Sequence, residues 1–245
     1  HKAVEHEPHL DAIIAVSNVI ANQFRDELDD PGRLHVAHNG TLFPDDVSMN
    51  GERRDDLVFL GGGKHIKGAY DLLDLWRALA TRGFDGRLHW FGTLDDELQT
   101  RVEALPHSDQ IELRGYTPRS EIFETAARSK VILMLSRVEP FGMATVEGMG
   151  MGCLPVAWDI ETGTTEIATD GTTGFFAPLG DTDAMAERVL TALDRHDELY
   201  KHVSDHTRSH FSEAAMWDRY ADVIDAVMDQ PVAERPHTGE TPPPW

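Results

Sequence analysis

Short apolar runs alternate along this chain with segments of helical periodicity, and this alternation constrains the fold more than any other feature of the sequence. The runs at 57–60, 87–91, 111–114, 131–135 and 154–158 have the length and composition of strands buried on both faces. Between them the spacing predicts helices over 69–81, ended by Gly83, and over 94–104. Pro118 opens a third helix in the favoured first position, and a fourth covers 144–151. A short helix around 165–168 and a strand at 174–177 follow, then helices at about 182–194, 196–208 and 213–229. Strict β–α alternation predicts an α/β fold: a Rossmann-like, doubly wound parallel sheet with helices on both faces. Right-handed crossovers then line up the loops that follow the strands along one edge, where ligands bind in such sheets.

A smaller pattern precedes this one. Residues 11–16 read as a strand, Ser17 as the N-cap of a helix over 18–29, and 33–37 as a second strand ending in the turn His38-Asn39-Gly40. The polar, turn-rich stretch 44–56 reads as a linker, with a domain boundary near residue 50. The tail from Pro231 to Trp245 carries five prolines and is expected to be disordered.

Two of the strand-following loops carry chemistry. In Glu139-Pro140-Phe141-Gly142-Met143-Ala144-Thr145-Val146-Glu147 a strand runs through a tight turn into a helix. Gly142 lets the backbone approach a ligand closely, and the free N–H groups at Met143, Ala144 and Thr145 open a helix whose dipole favours phosphate. Glu139 stands before the helix and Glu147 about one turn inside it, so one carboxylate takes sugar hydroxyls while the other faces the group beyond the phosphates. The second loop, Gly61-Gly62-Gly63-Lys64-His65-Ile66-Lys67-Gly68, offers glycine backbone and lysine charge to phosphate. It has neither the G-x-G-x-x-G spacing of dinucleotide folds nor the terminal Gly-Lys-Ser/Thr of a P-loop.

Ser136-Arg137-x-Glu139-Pro-Phe-Gly…Glu147-x-Met149-x-x-Gly152-Cys153-x-Pro155-Val156 resembles the donor-site signature of retaining glycosyltransferases of family 4, which have the GT-B fold. The resemblance extends over roughly 11–230. It implies that residues 57–230 form the nucleotide-sugar donor domain, that 46–56 link it to its neighbour, and that 1–45 are the last strand–helix–strand of an amino-terminal acceptor domain. It implies that Lys67 and the helix start hold a nucleotide diphosphate, that Glu147 accepts hydrogen bonds from two ribose hydroxyls, and that Glu139, the catalytic candidate, faces the donor sugar. Gly115 and Tyr116 then fall in the loop lining the base pocket, where Tyr116 either stacks on the base or packs in the core. Arg137 is a phosphate neighbour or a salt-bridge partner, Phe141 belongs to the signature turn, and Thr164, Thr165 and Glu166 resemble a loop near the donor sugar. Gly62 departs from the pattern: the family places an arginine there, and Lys64 is the nearest cation that stands in its place.

The implied reaction is glycosyl transfer with retention and without a metal or other cofactor, by front-face attack or by double displacement through a covalent intermediate. The partners are a nucleotide sugar and an acceptor (glycan, lipid or small molecule) met by residues outside this chain. Binding without transfer is the expectation for residues 1–245 alone, with His1 in place of a Met pointing to a fragment. The rival readings are a non-catalytic nucleotide-sugar binding module or truncated inactive enzyme, a GT-B epimerase, and a structural α/β domain.

Composition narrows the setting. A net charge of −21 excludes nucleic acid and anionic membrane surfaces as partners through repulsion, leaving peripheral membrane contact only to a further domain. Five lysines against 43 acidic residues make a surface suited to concentrated salt, hence a halophilic source. The one cysteine, Cys153, fits a reducing cytoplasm and reads as a small buried thiol. The thirteen histidines form no metal-ligand constellation, and His107, His196 and His202 read as solvated.

Overall fold

The computed structural model describes residues 10–49 and 51–229, so the proline-rich tail expected from Pro231 lies outside the described residues. A small unit comes first: β1 (Ile13–Ala15) and β2 (Leu34–Val36) pair in parallel across α1 (Asn18–Arg25). Ala15, Ala21, Leu28 and Leu34 form its own core. Ser17 caps α1 as its sequence predicts, accepting from the Ile20 N–H at 3.1 Å, but the helix stops at Arg25 rather than continuing to 29.

The main sheet has six parallel strands: β3 (Arg54–Phe59), β4 (Leu88–Phe91), β5 (Ile111–Gly115), β6 (Ser129–Met134), β7 (Leu154–Trp158) and β8 (Phe175–Ala177). Their order is β5-β4-β3-β6-β7-β8. The chain therefore steps outward from β3 to β5, returns to lay β6 on the other side of β3, and steps outward again. The loops after β3 and β6 diverge at this reversal and leave a crevice between them. Leu57, Val58 and Phe59 are buried at 2% exposure or less, as a central strand covered on both faces requires.

The flanking helices are α2 (Ala69–Thr81), α3 (Asp96–Glu103), α4 (Arg119–Ala126), α5 (Met143–Gly150), α6 (Gly163–Ile167), α7 (Thr182–His210) and α8 (Glu213–Met228). In α2 the buried Ala69, Leu72, Leu73, Trp76 and Leu79 recur at the three- and four-residue spacing that the sequence shows. Pro118 sits one place earlier than expected, at the N-cap of α4 with extended ψ. The polar stretch after residue 43 is tied to the main body: Phe43, Val47 and Met49 pack on its core, and the Arg53 guanidinium donates to the carbonyls of Ala126, Ser129 and Met151.

Two expectations are corrected. The helices foreseen at 182–194 and 196–208 are one helix of 29 residues. The charged Arg195-His196-Asp197 reads as a break, yet His196 is fully buried and continues the apolar face running through Val189, Ala192, Leu199 and Val203. It is therefore not solvated. Its Nε2 donates to the Gly152 carbonyl at 3.1 Å, which makes a neutral core imidazole tolerable, and its Nδ1 lies 3.1 Å from Asp197 Oδ1. Cys153 is buried, and burial pushes its thiol up to about 12.

Candidate functional site

The crevice at the sheet reversal opens into a cavity of ≈ 780 Å³. Its floor is the loop after β3 (Gly62, Lys64, Lys67), its far wall the ends of β4 and β5 (Phe91, Gly115, Tyr116), and its near wall the start of α5 (Ala144, Glu147). A recess of ≈ 20 Å³ adjoins it, lined by Glu139 and Ser136, and Lys67 and Ala144 border both spaces. The structure thus sets Glu147, Lys67 and Glu139 in order along one crevice.

Each position follows from its local chain. Gly142 has φ of 102° and caps α5, a conformation open to glycine, and a Cβ there would press on Thr145 Oγ1 at 3.0 Å. That turn throws the chain from β6 into α5 and leaves Glu139 on one side and Glu147 on the other. Gly62 has φ of 52°; its N–H bonds the Phe91 carbonyl at 2.9 Å and its own carbonyl accepts from Trp90 Nε1 at 3.0 Å. A Cβ would meet the Thr93 carbonyl oxygen at 3.2 Å, so the loop is shaped around the missing side chain.

The remaining expected residues fall into two groups. Tyr116 stands 94% exposed on the cavity wall, which excludes a core role. Arg137 is held by Asp71 of α2 at 2.9 and 3.1 Å. Phe141 is buried against His38, with ring centroids 5.7 Å apart, and Thr145 is buried with Oγ1 2.9 Å from Thr164 Oγ1. Met143 is half-buried at the start of α5. Phe141 and Thr145 support the turn from behind.

Lys67, Glu139 and Glu147 are each paired. Lys67 Nζ lies 2.7 Å from Glu139 Oε2, and Ser136 Oγ is 3.4 Å from the same oxygen. Glu147 meets Arg119 of α4, with Nη2 at 2.7 Å and Nε at 2.9 Å from Oε1. Burial raises the Glu147 carboxyl, and the Arg119 charge opposes that rise. Glu166 of α6 reaches across to the small unit, accepting from the Asn18 and Val19 N–H groups and pairing with His38 Nε2 at 2.6 Å. Burial alone would raise Glu166, but those hydrogen bonds together hold it below the ordinary carboxylate range.

Sequence reasoning passed over Arg119 and His38. Arg119 did carry a signal, because a cation in the first turn of a helix opposes the dipole and calls for another reason to be there. His38 was hidden inside a dipeptide turn. Among the described residues no group of three or more His, Cys, Asp and Glu side chains is arranged to hold a metal ion, and no helix is long and apolar enough to cross a membrane.

Residues 46–210 match the family described as glycosyl transferases group 1. The chain belongs to that family. An uncharacterised glycosyltransferase of Methanocaldococcus jannaschii is 28% identical over 209 residues, covering 85% of this chain and 56% of the relative. Among solved structures, a Staphylococcus aureus TarM variant in complex with fondaparinux, α-GlcNAc-glycerol and UDP superposes with a TM-score of 0.78 at 14% identity, over 91% of this chain and 45% of that one. Anabaena HepE in complex with UDP and glucose gives 0.75 at 19% identity, over 92% and 66%. These neighbours establish the GT-B fold for this group 1 chain. Like the catalogued relative, they are longer than the stretch matched, and the chain spans little more than half of the M. jannaschii protein.

Proposed function

We propose that this chain supplies the donor half of a retaining, metal-independent glycosyltransferase that moves a sugar from a nucleoside diphosphate to an acceptor hydroxyl. The observation that carries the reading is the position of Lys67, which borders the large cavity holding Glu147 and the small recess holding Glu139. A diphosphate over Lys67 and the α5 start would leave the ribose on the Glu147 side and the sugar on the Glu139 side. Glu147 would accept the ribose hydroxyls, and Lys67 with the α5 N–H groups would stabilise the departing diphosphate. Glu139 would stabilise positive charge at the anomeric carbon. Family membership supports the reaction class, and TarM and HepE, both in complex with UDP, make uridine diphosphate the first nucleotide to test. A hydroxyl-bearing acceptor is proposed because the TarM complex holds α-GlcNAc-glycerol, a sugar joined to an alcohol oxygen.

A second reading, a nucleotide-sugar binding module without transfer, is favoured by Gly62, whose loop carries no guanidinium for the leaving group. Calorimetric titration of the chain with UDP, GDP and ADP in molar KCl tests both. Saturable binding of one nucleotide, lost by about 2–4 kcal/mol in Glu147→Ala, is the expected result. Unchanged affinity in that variant would remove Glu147 from the site. Transfer by the full-length protein, scored with and without Glu139→Gln, then separates enzyme from binding module.

A further inference from the structure

Arg119 occupies a place that its own helix disfavours. As the first residue of α4 it puts a positive charge at the positive end of the dipole. What holds it there lies outside the helix. Its guanidinium bonds Glu147 through two nitrogens, lies over the Phe123 ring at 4.9 Å and donates to Thr41 Oγ1. Thr41 is itself fixed where the small unit meets the last helix: its N–H bonds the Phe211 carbonyl at 2.9 Å and its carbonyl accepts from Glu213 at 3.0 Å. The guanidinium is therefore fastened on three sides, and one of them is the carboxylate in the cavity wall.

Glu147 depends on such a partner. Its side chain is 18% exposed, a setting that favours the neutral acid. A neutral acid accepts one fewer strong hydrogen bond from a pair of hydroxyls than a carboxylate does. The other charges near α5 are placed elsewhere. Lys64, Lys67 and Asp95 border the cavity on its loops, Arg208 of α7 bonds the Gly150 carbonyl at the far end of α5, and Glu166 of α6 faces Asn18.

We propose that Arg119 is a positioning residue for nucleotide binding, holding Glu147 ionised and fixed in the wall of the cavity. This rests on the reading of Glu147 as the ribose acceptor. The test compares the unmodified chain with R119Q and R119K. The ligand-free Glu147 carboxyl is titrated by carbon NMR, and UDP affinity is measured from pH 5 to 8. The ratio of variant to unmodified affinity cancels the titration of UDP itself. In R119Q the Glu147 midpoint should rise, and the affinity ratio should fall as pH drops through that midpoint, levelling off below the midpoint of the unmodified chain. R119K, which keeps a charge on a shorter and less directional group, should give an intermediate midpoint, and it serves alone if R119Q does not fold. A midpoint unchanged in the folded variant, or an affinity ratio that stays constant as pH passes through the risen midpoint, would overturn the proposal. Absence of UDP binding by the unmodified chain would instead overturn the reading of the site, and the carbon titration would still judge the Arg119–Glu147 pairing.

Discussion

The Lys67 ammonium lies 2.7 Å from Oε2 of Glu139, so the cation read as the diphosphate anchor is already partnered by the carboxylate read as the catalytic one. A diphosphate arriving over Lys67 has to share that charge. Lys67→Ala is expected to weaken UDP by about 2–3 kcal/mol while leaving uridine affinity unchanged, because only the phosphates meet the ammonium. Glu139→Gln should have the opposite effect on UDP, tightening it by up to about 1 kcal/mol as Lys67 is released from a partly exposed pair. Calorimetry with UDP and uridine checks both. Weaker UDP binding in Glu139→Gln would count against the shared-charge account.

Gly62 stands where the resemblance expects an arginine, and its backbone explains why restoring that residue is not a simple gain. With φ of 52° and the Thr93 carbonyl oxygen 3.2 Å from a Cβ, any side chain there is strained. Gly62→Arg is expected to destabilise the chain by about 1–2 kcal/mol without tightening UDP. Urea midpoints and UDP titration give the answer, and a stable variant with tighter binding would show that the loop does hold a guanidinium.

His196 gives a stability prediction with a pH signature. Burial is the leading cause that lowers its pKa below 6.5, so the folded chain keeps the ring neutral while the unfolded chain protonates it. The contribution is complete above the unfolded value of about 6.5 and is lost as pH falls below it. His196→Leu removes that titration and leaves the Gly152 carbonyl without its imidazole partner. It should cost about 1–3 kcal/mol at pH 7.5, with a smaller loss of stability between pH 6.5 and 5 than in the unmodified chain. Urea unfolding at those pH values measures both quantities.

Much of the sheet was legible because a central parallel strand must be apolar on both faces, which marks β3, β6 and β7 without regard to neighbours. The two loops were legible for a related reason: Gly62 and Gly142 sit at turns only glycine adopts freely, and such residues show in the sequence. The merging of 182–194 with 196–208 was not, since the burial of His196 depends on the Gly152 carbonyl, a group 44 residues away. Arg119 with Glu147, and Glu166 with His38, were hidden in the same way. Each is a pairing across a sequence gap of 28 and 128 residues respectively, set by packing rather than by local pattern.

Glu166 fastens the small unit to the sheet, and its pKa gives that attachment a pH window. Its carboxylate accepts from Asn18 and Val19 at the start of α1 and from His38, and the bonds to Asn18 and His38 are between 2.6 and 2.9 Å. These bonds outweigh burial, so the folded pKa lies below the unfolded value. A carboxylate depressed in this way stabilises the fold at pH above its unfolded pKa of about 4.3, and the contribution is lost as pH falls through the lower folded value. Glu166→Gln should therefore cost about 2 kcal/mol at pH 7, with the gap to the unmodified chain closing below about pH 4. The loss should also be local. Amide exchange is expected to quicken at Asn18 and Val19 while the strands β3 and β6 keep their protection, because the six-stranded core does not depend on this contact. Uniform loss of protection across both regions would mean that the small unit and the sheet unfold together, and that Glu166 supports the whole chain rather than the junction alone.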